Sequence, residues 1–358
     1  MPQKKPSNAK KARTSSRKKG GQKRRGSIYL AITVTLLIAI VCLGFRQGRN
    51  YLATYGGNDA AWVYIPAGAS SEAVADSLTA SLGKDFGKKV AQIWGGDVSA
   101  AHGAYRVTPG QRAWSVARRI NRGQQTPVTV TFNNVRTLDI LSQRLDKRME
   151  FSARQFLAAC DSVADSQHIS RDTFPTLILP DSYEAYWTES PSRLIERFQK
   201  AHKRFWTSER LQKANNLGLT PAQAYIIASI AEEESADPSE LGKIGRLYIN
   251  RLQRGMMLQA DPTVKFASGN LTARRISGAM LKTDSPYNTY RRHGLPPGPI
   301  RLASASTIDA ILYSTPHDYI YMCASPDFSG THNFAKDFDT HRRNADAYRR
   351  ALDARGIK

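Results

Sequence analysis

The sequence lacks the features that mark several common classes of protein. Its three cysteines, Cys42, Cys160 and Cys323, are too few for a disulfide framework and do not have the spacing of a metal site. Walker-type and dinucleotide-binding glycine patterns are absent, and no histidine stands in an H-E-x-x-H arrangement. We therefore expect neither a metal nor a cofactor. His332 and His341 could suggest a metal site together with the glutamates at 232–234. We instead expect His332 to be a polar cleft or loop residue and His341 a surface residue.

Acidic residues are scarce, above all at the N-terminus. The chain has 52 Lys or Arg against 30 Asp or Glu, a formal net charge of +22. Residues 1–27 contain eleven Lys or Arg, no acid and almost no apolar side chains, so this tail is predicted to be disordered. Taken alone, such a tail suggests nucleic-acid binding. The rest of the chain is also basic, as expected beside an anionic membrane or an anionic polymer.

The one long hydrophobic run is residues 28–45. Its eighteen residues contain no charge and are just long enough to span a bilayer. The positive-inside rule puts the N-terminus in the cytoplasm and the rest of the chain outside, so we expect no nucleic-acid partner. A cleaved signal peptide is the alternative, but a convincing small-x-small cleavage site is missing. We predict an uncleaved single-pass anchor in the inner (cytoplasmic) membrane with a periplasmic or extracytoplasmic body.

Two folded parts are predicted after the anchor, and together they indicate the α+β class. Residues 50–135 combine a short capped helix, a second helix beyond a Pro-Gly turn, and runs that alternate like strands, including residues 126–132. Residues 136–358 are mainly helical, with a predicted hairpin around the turn SPDFSG and a predicted short strand at 256–264. The Pro- and Gly-rich loop 283–300 has no apolar period, and its length favours a functional role over disorder.

A helix carrying three consecutive glutamates is the centre of the candidate site. Thr220 and Gln223 form a capping-box pattern at its start, and Pro238 should end it near Ala236 or Asp237. Its apolar stripe is Ala224, Ile227, Ile230 and Ala231. Glu234 continues this stripe, whereas Glu232 and Glu233 point elsewhere on the helical wheel.

The predicted position of Glu234 has a chemical consequence. In the last turn of a helix, partly buried and close to other glutamates, its carboxyl should have a raised pKa. Such a group can act as a general acid near neutral pH. The alternative is a solvated acidic helix end. Glu232 is the nearest competitor for the acid, but it lies on the far side of the helix from Glu234.

A second helix is predicted to start at Asp237 and Pro238 and to end before Gly255. Glu240 is interpreted as a capping residue, with a contact to substrate as the alternative. The apolar stripe of this second helix is Leu241, Ile244, Tyr248 and Leu252.

Several blocks of sequence resemble one family. They are ASIAEEES (228–235), INRLQRGMMLQADPT (249–263), SPYNTYRRHGLPPGPI (285–300), PDSYE (180–184) and GTHNF (330–334). Over residues 60–350 the chain resembles the YceG-like endolytic murein transglycosylases. The family's catalytic glutamate falls on Glu234, with Ser235 where the family more often has Thr. Glu233 replaces a common lysine, which adds negative charge beside Glu234.

The resemblance implies an activity and a set of partners. It implies cleavage of the MurNAc–GlcNAc β-1,4 bond of nascent peptidoglycan without water, which leaves 1,6-anhydro ends and terminates glycan elongation. It also implies a LysM-like region at 50–135, with glycan binding there left open, a catalytic domain at 136–358, and contact with peptidoglycan synthases. The candidate substrate-binding residues are Glu240, Gln259, Asp261, Tyr287, Asn288 and Tyr290. A noncatalytic peptidoglycan-binding scaffold is the alternative, and a nucleic-acid-binding protein is a third class supported only by the tail.

Overall fold

The computed structural model describes residue 3, residues 17–273 and residues 275–356, with the backbone alone for 17–26. The first element, α1, is a helix over Arg17–Leu52. Most of the tail predicted to be disordered lies outside the described residues, but residues 17–27 are helical, so that prediction is wrong for them. Because Lys and Arg are good helix formers, the helix of the apolar run continues into the basic residues that precede it.

One stretch of α1 meets the requirements for a membrane span. Within Ser27–Leu52 an 18-residue window has a mean hydropathy of 2.6, and none of that window is buried against the protein. This is compatible with a single-pass anchor, although a signal sequence has the same properties.

The chain divides into two compact units, and the first ends at Gln125. Its elements after α1 are β1 (Ala61–Ile65), α2 (Ser71–Leu82), α3 (Lys84–Trp94), β2 (Gly103–Val107) and α4 (Ala113–Asn121). β1 and β2 form a two-stranded antiparallel sheet in which Val63 lies opposite Tyr105. The Ser70 hydroxyl accepts from the Ala73 backbone N–H and caps α2, as the sequence predicts. The inner faces of the sheet and helices form one hydrophobic core.

The second unit, residues 126–358, contains the remaining elements. Its helices are α5 (Leu138–Asp146), α6 (Ala153–Ser166), α7 (Pro191–Phe205), α8 (Ser208–Asn216), α9 (Pro221–Glu234), α10 (Pro238–Gln253), α11 (Asp261–Ala267), α12 (Gly278–Leu281), α13 (Ala305–Leu312) and α14 (Phe338–Ala354). Its strands are β3 (Val128–Thr131), β4 (Ser182–Ala185), β5 (Tyr321–Ala324) and β6 (His332–Ala335), and a short 3₁₀ turn covers Phe174–Leu177. Both strand pairs, β3–β4 and β5–β6, are antiparallel.

Helix α9 is the centre of this unit. Every residue from Ala224 to Ala231 is buried, so the helix is surrounded on all sides. It packs against α10 and α13, which lie close together because α10 has glycines at 242 and 245. A Cβ added at Gly245 would overlap the side chain of Ile311 on α13. The mixed helix-and-strand class is confirmed, and so is the hairpin β5–β6 around the turn SPDFSG.

Two details of the predicted organisation are corrected. The strand predicted at 126–132 exists as β3, but it pairs with β4, and the first unit therefore ends before position 135. The strand predicted at 256–264 is wrong, because Pro262 suits a first helical turn and α11 begins at Asp261.

Candidate active site

The corner between α9 and α10 fixes the position of Glu234. At the start of α9 the predicted capping box is present, with 2.8 Å from the Thr220 N to Gln223 Oε1 and 3.2 Å from the Gln223 N to Thr220 Oγ1. The helix ends at Glu234, slightly earlier than predicted, and Ser235 is already extended with φ −137° and ψ 140°. The Asp237 side chain then caps α10 by accepting from the Ser239 N–H at 2.9 Å. Glu234 is therefore the last helical residue before a tight turn.

The Glu234 carboxyl is half-buried and contacts one strong donor. The Tyr248 hydroxyl, on α10, donates to Glu234 Oε1 at 2.5 Å. Loss of water contact raises the pKa of Glu234 to about 7; the Tyr248 hydrogen bond opposes the rise, and the charge of Asp261 adds to it. Near neutral pH this group is present in both the acid and the carboxylate form, which suits general acid–base chemistry.

The two preceding glutamates are held by a different set of partners. Glu232 accepts from the Ser304 backbone N–H at 2.8 Å and from the Ser304 hydroxyl at 2.6 Å, and its other oxygen lies 3.1 Å from Arg301 Nε. Glu233 accepts from Arg136 Nη2 at 2.8 Å and from Arg301 Nη1 at 3.1 Å. Glu232 and Glu233 point away from Glu234, as predicted, and both contact Arg301. Glu233 does raise the pKa of Glu234, but its contribution is smaller than those of burial and Asp261.

Glu234 faces an open cleft of about 360 Å³. Its walls are the end of α9, the middle of α10, the segment before α11, the hairpin β5–β6 and the start of α14. The polar and aromatic side chains that line the cleft are Glu234, Tyr248, Arg251, Gln259, Asp261, Tyr290, Tyr321, His332, Phe338 and His341. Ligand pockets combine aromatic surface with a few placed polar groups, and the walls of this cleft supply both.

Three of the predicted substrate-binding residues lie in the cleft. Tyr290 donates its hydroxyl proton to Asp261 Oδ1 at 2.7 Å. Gln259 has a left-handed backbone with φ +49° and accepts from Arg251 Nη2 at 2.7 Å. Arg251 also donates to the carbonyls of Met257 and Ile320, so it joins this segment to the hairpin.

The other three predicted residues do not line the cleft. Asn288 is fully buried, donates to the carbonyls of Leu281 and Thr283, and accepts from the Tyr290 N–H, so it holds the loop together. Tyr287 donates to Asp172 at 2.9 Å and lines a separate cavity. Glu240 is buried behind the cleft wall, where it accepts from Ser235 and His332 instead of capping α10.

Sequence reasoning missed Tyr248, Arg251 and Tyr321. Tyr248 was assigned to an apolar stripe, because helical period does not distinguish a buried ring from one whose hydroxyl meets a carboxylate. His332 lies in the cleft, within the range expected for it. His341, expected at the surface, also lines the cleft and stacks on Tyr321 with ring centroids 5.1 Å apart. Among the residues that the structure describes, no group of three or more His, Cys, Asp or Glu is placed to hold a metal ion.

The fold and the site define an α+β protein with one carboxyl of raised pKa in an open polar and aromatic cleft. The sequence model of the YceG-like family matches residues 63–347. The chain belongs to this family.

Similar proteins agree with this assignment. An endolytic murein transglycosylase of Bacillus subtilis is 38% identical over 122 residues, which cover 34% of this chain and 33% of the relative. One from Streptococcus pneumoniae serotype 2 is 26% identical over 277 residues, covering 68% of this chain and 49% of the relative. The chain thus matches about half or less of the length of these relatives. A crystal structure of a putative YceG-like protein from Listeria monocytogenes has a similar fold, with a TM-score of 0.52 at 23% identity over 80% of this chain and 99% of that one.

Proposed function

We propose that this chain is an endolytic murein transglycosylase that cleaves the MurNAc–GlcNAc β-1,4 bond of peptidoglycan without water. The observation that carries the proposal is Glu234, a carboxyl whose pKa burial raises to about 7 in an open cleft. The names of the curated relatives point the same way.

In the proposed reaction Glu234 acts twice. As an acid it protonates the oxygen that leaves C1 of MurNAc. As a carboxylate it then takes the proton from the C6 hydroxyl of the same sugar, whose oxygen closes the 1,6-anhydro ring. The internal hydroxyl takes the place of the second carboxylate of ordinary glycosidases and has a high effective concentration.

A second carboxylate in the same cleft favours one alternative chemistry. Asp261 could activate water, and the enzyme would then be a hydrolase. We assign Asp261 a different role, because Tyr290 occupies one of its oxygens and its negative charge raises the pKa of Glu234. Gln259, Asp261 and Tyr290 are proposed to contact the glycan, whereas Tyr287 and Asn288 are proposed to act only by shaping the loop.

The remaining parts of the proposal concern location. The apolar part of α1, residues 28–45 within Ser27–Leu52, is proposed as a single-pass anchor in the inner membrane, with the N-terminus in the cytoplasm and the rest extracytoplasmic. The α+β unit predicted at 50–135, which the structure ends at Gln125, is proposed to be LysM-like. The catalytic part is proposed to be the unit after it, to act on nascent glycan strands, and to work beside peptidoglycan synthases.

Mass spectrometry of digested glycan tests the central claim. Full-length protein in detergent is incubated with uncrosslinked glycan strands, and the new chain ends are identified. We expect 1,6-anhydro ends, each lighter by one water than a hydrolysed end. Reducing ends would instead support hydrolysis through Asp261, and binding without cleavage would support the noncatalytic scaffold.

A further inference from the structure

A buried carboxylate outside the proposed reaction organises one wall of the cleft. Glu240, in the first turn of α10, is 7% exposed. Its Oε1 accepts from the His332 backbone N–H at 2.8 Å, and its Oε2 lies 2.9 Å from His332 Nδ1. The Ser235 hydroxyl also donates to Oε2, at 3.2 Å. These contacts lie within the protein, which leaves Glu240 with no direct role in binding a ligand.

His332 lies between Glu240 and the cleft, and Nε2 is on the opposite edge of its ring from Nδ1. It begins β6 and lines the same cleft as Glu234. Because a carboxylate can only accept, Nδ1 must carry the proton in this contact. In the neutral ring Nε2 is then an acceptor, and no hydrogen bond occupies it among the residues that the structure describes. The ring orientation and the tautomer are both fixed before any ligand arrives.

We propose that His332 Nε2 accepts a hydrogen bond from a hydroxyl of the sugar bound in the cleft, and that Glu240 is the positioning residue that holds the ring for it. This inference rests on the proposed function, since it names a further contact for the same glycan. An unprotonated ring nitrogen accepts from O–H or N–H and cannot donate to the carbonyl of an N-acetyl group. We choose a hydroxyl as the partner, because hydroxyls are the more numerous donors on the sugar.

The same carboxylate connects the two sides of the cleft. Ser235 directly follows Glu234, and its hydroxyl both donates to Glu240 and accepts from the Asp237 N–H at 3.1 Å. Glu240 therefore holds the helix end that carries the acid and the strand that carries His332. The sugar contact and the acid are kept at a fixed separation by one side chain.

The variant that isolates the ring nitrogen is His332→Asn. The amide nitrogen of Asn replaces Nδ1 and can still donate to Glu240, but nothing replaces Nε2. Binding of uncrosslinked glycan strands is measured on full-length protein carrying Glu234→Gln, which removes turnover. Loss of one hydrogen bond should weaken binding about threefold to tenfold, with an unchanged midpoint of thermal unfolding. In the parent enzyme the same change should raise KM more than it lowers kcat.

A second measurement addresses Glu240 without relying on activity. In ¹⁵N NMR of the imidazole rings, His332 of the parent protein should show the Nδ1–H tautomer. In Glu240→Gln the amide oxygen must still accept from the His332 backbone N–H, so the amide nitrogen faces Nδ1 and the ring proton should move to Nε2. Glycan binding should then weaken, but by no more than in His332→Asn, because a hydroxyl can turn to accept from Nε2–H.

The outcomes separate this inference from the proposed activity. Weaker binding by His332→Asn supports the contact even if the parent protein forms no anhydro ends. Unchanged binding by a well-folded His332→Asn overturns the contact even if anhydro ends form. An Nε2–H tautomer in the parent protein overturns the positioning role of Glu240, and absence of any glycan binding overturns both.

Discussion

The two sides of the end of α9 carry the same residue type in opposite environments. On one side Glu232 and Glu233 are closed in by Arg136, Arg301 and Ser304. On the other side Glu234 has a tyrosine hydroxyl in place of a cation and opens onto the cleft. Three neighbouring carboxyl groups thus differ in their surroundings. Glu232 and Glu233, the braced side, are held by arginines, and Glu234, the open side, is placed for the proposed proton transfer. The direction in which each side chain leaves the helix decides its partners.

The largest effect that this comparison predicts is on activity. Glu234→Gln keeps the shape of the side chain but cannot exchange a proton. Release of anhydro-ended fragments should fall by about 10²- to 10⁴-fold, the usual contribution of general acid–base catalysis. Glycan binding should persist, because the amide resembles the protonated acid.

The matched control is Glu232→Gln, which changes a carboxyl on the braced side. It should lose far less activity than Glu234→Gln, although it should be less stable. If Glu234→Gln works near the normal rate while Glu232→Gln is dead, the acid has been assigned to the wrong side of the helix.

The next largest effect is on stability, and it concerns the braced side. Arg301→Met removes the cation between two carboxylates that are only 11% and 16% exposed. Uncompensated carboxylates in a partly buried site should lower the free energy of unfolding by about 1–3 kcal/mol.

Urea denaturation measures this change. The control is Lys336→Met, since Lys336 and its partner Asp318 are 61% and 70% exposed and such a pair contributes about 0–1 kcal/mol. Equal losses for the two variants would mean that the arginine brace is no stronger than a surface ion pair.

A smaller effect is expected from the donor on the open side. Tyr248→Phe removes the hydroxyl that favours the carboxylate form, so the pKa of Glu234 should rise further. In a pH–rate profile, activity falls at the pH where the acid ionises, and this fall should then move to higher pH. Turnover should decrease about tenfold, because the acid also loses the contact that orients it.

A pH–rate profile of the purified enzyme tests this prediction. A fall that moves to lower pH, or stays in place with full turnover, would show that Tyr248 does not act through Glu234. Tyr313→Phe serves as a control, since its hydroxyl donates to the exposed residue Glu209 at 2.7 Å, away from the cleft.

The smallest effect is a pH dependence of stability. The pKa of Glu234 is about 7 in the folded protein, against an ordinary value of 4.5 for a solvent-exposed Glu. Between these values the unfolded chain ionises this group more readily than the folded protein does, so its contribution is lost as pH rises through that window. Relative to Glu234→Gln, the parent protein should lose on the order of 1 kcal/mol per pH unit between about pH 4.5 and 7. Parallel stability curves for the two proteins would contradict this.

Local signals in the sequence were enough to place Glu234. The capping box at Thr220 and the proline at 238 together put it at a helix end, whereas the apolar period did not mark one face, because α9 is buried on all sides. Contacts between distant segments were not predictable in the same way. Strand β3 pairs with β4, fifty-one positions away between Thr131 and Ser182, and no local pattern indicates that partner. Asn288 looked like a ligand residue because it lies in a loop, yet backbone carbonyls satisfy its amide.

The close approach of α10 and α13 has a consequence for how the pKa of Glu234 could be tuned from a distance. Gly245 has no room for a methyl group, because Ile311 occupies the space. Any side chain there must displace Ile311 or push α10 away from α13, and Tyr248 lies one helical turn further along α10. The spacing between α10 and α13 therefore influences the distance between the Tyr248 hydroxyl and the Glu234 carboxyl. A substitution at Gly245 should therefore change the pKa of Glu234, although no residue that lines the cleft is replaced.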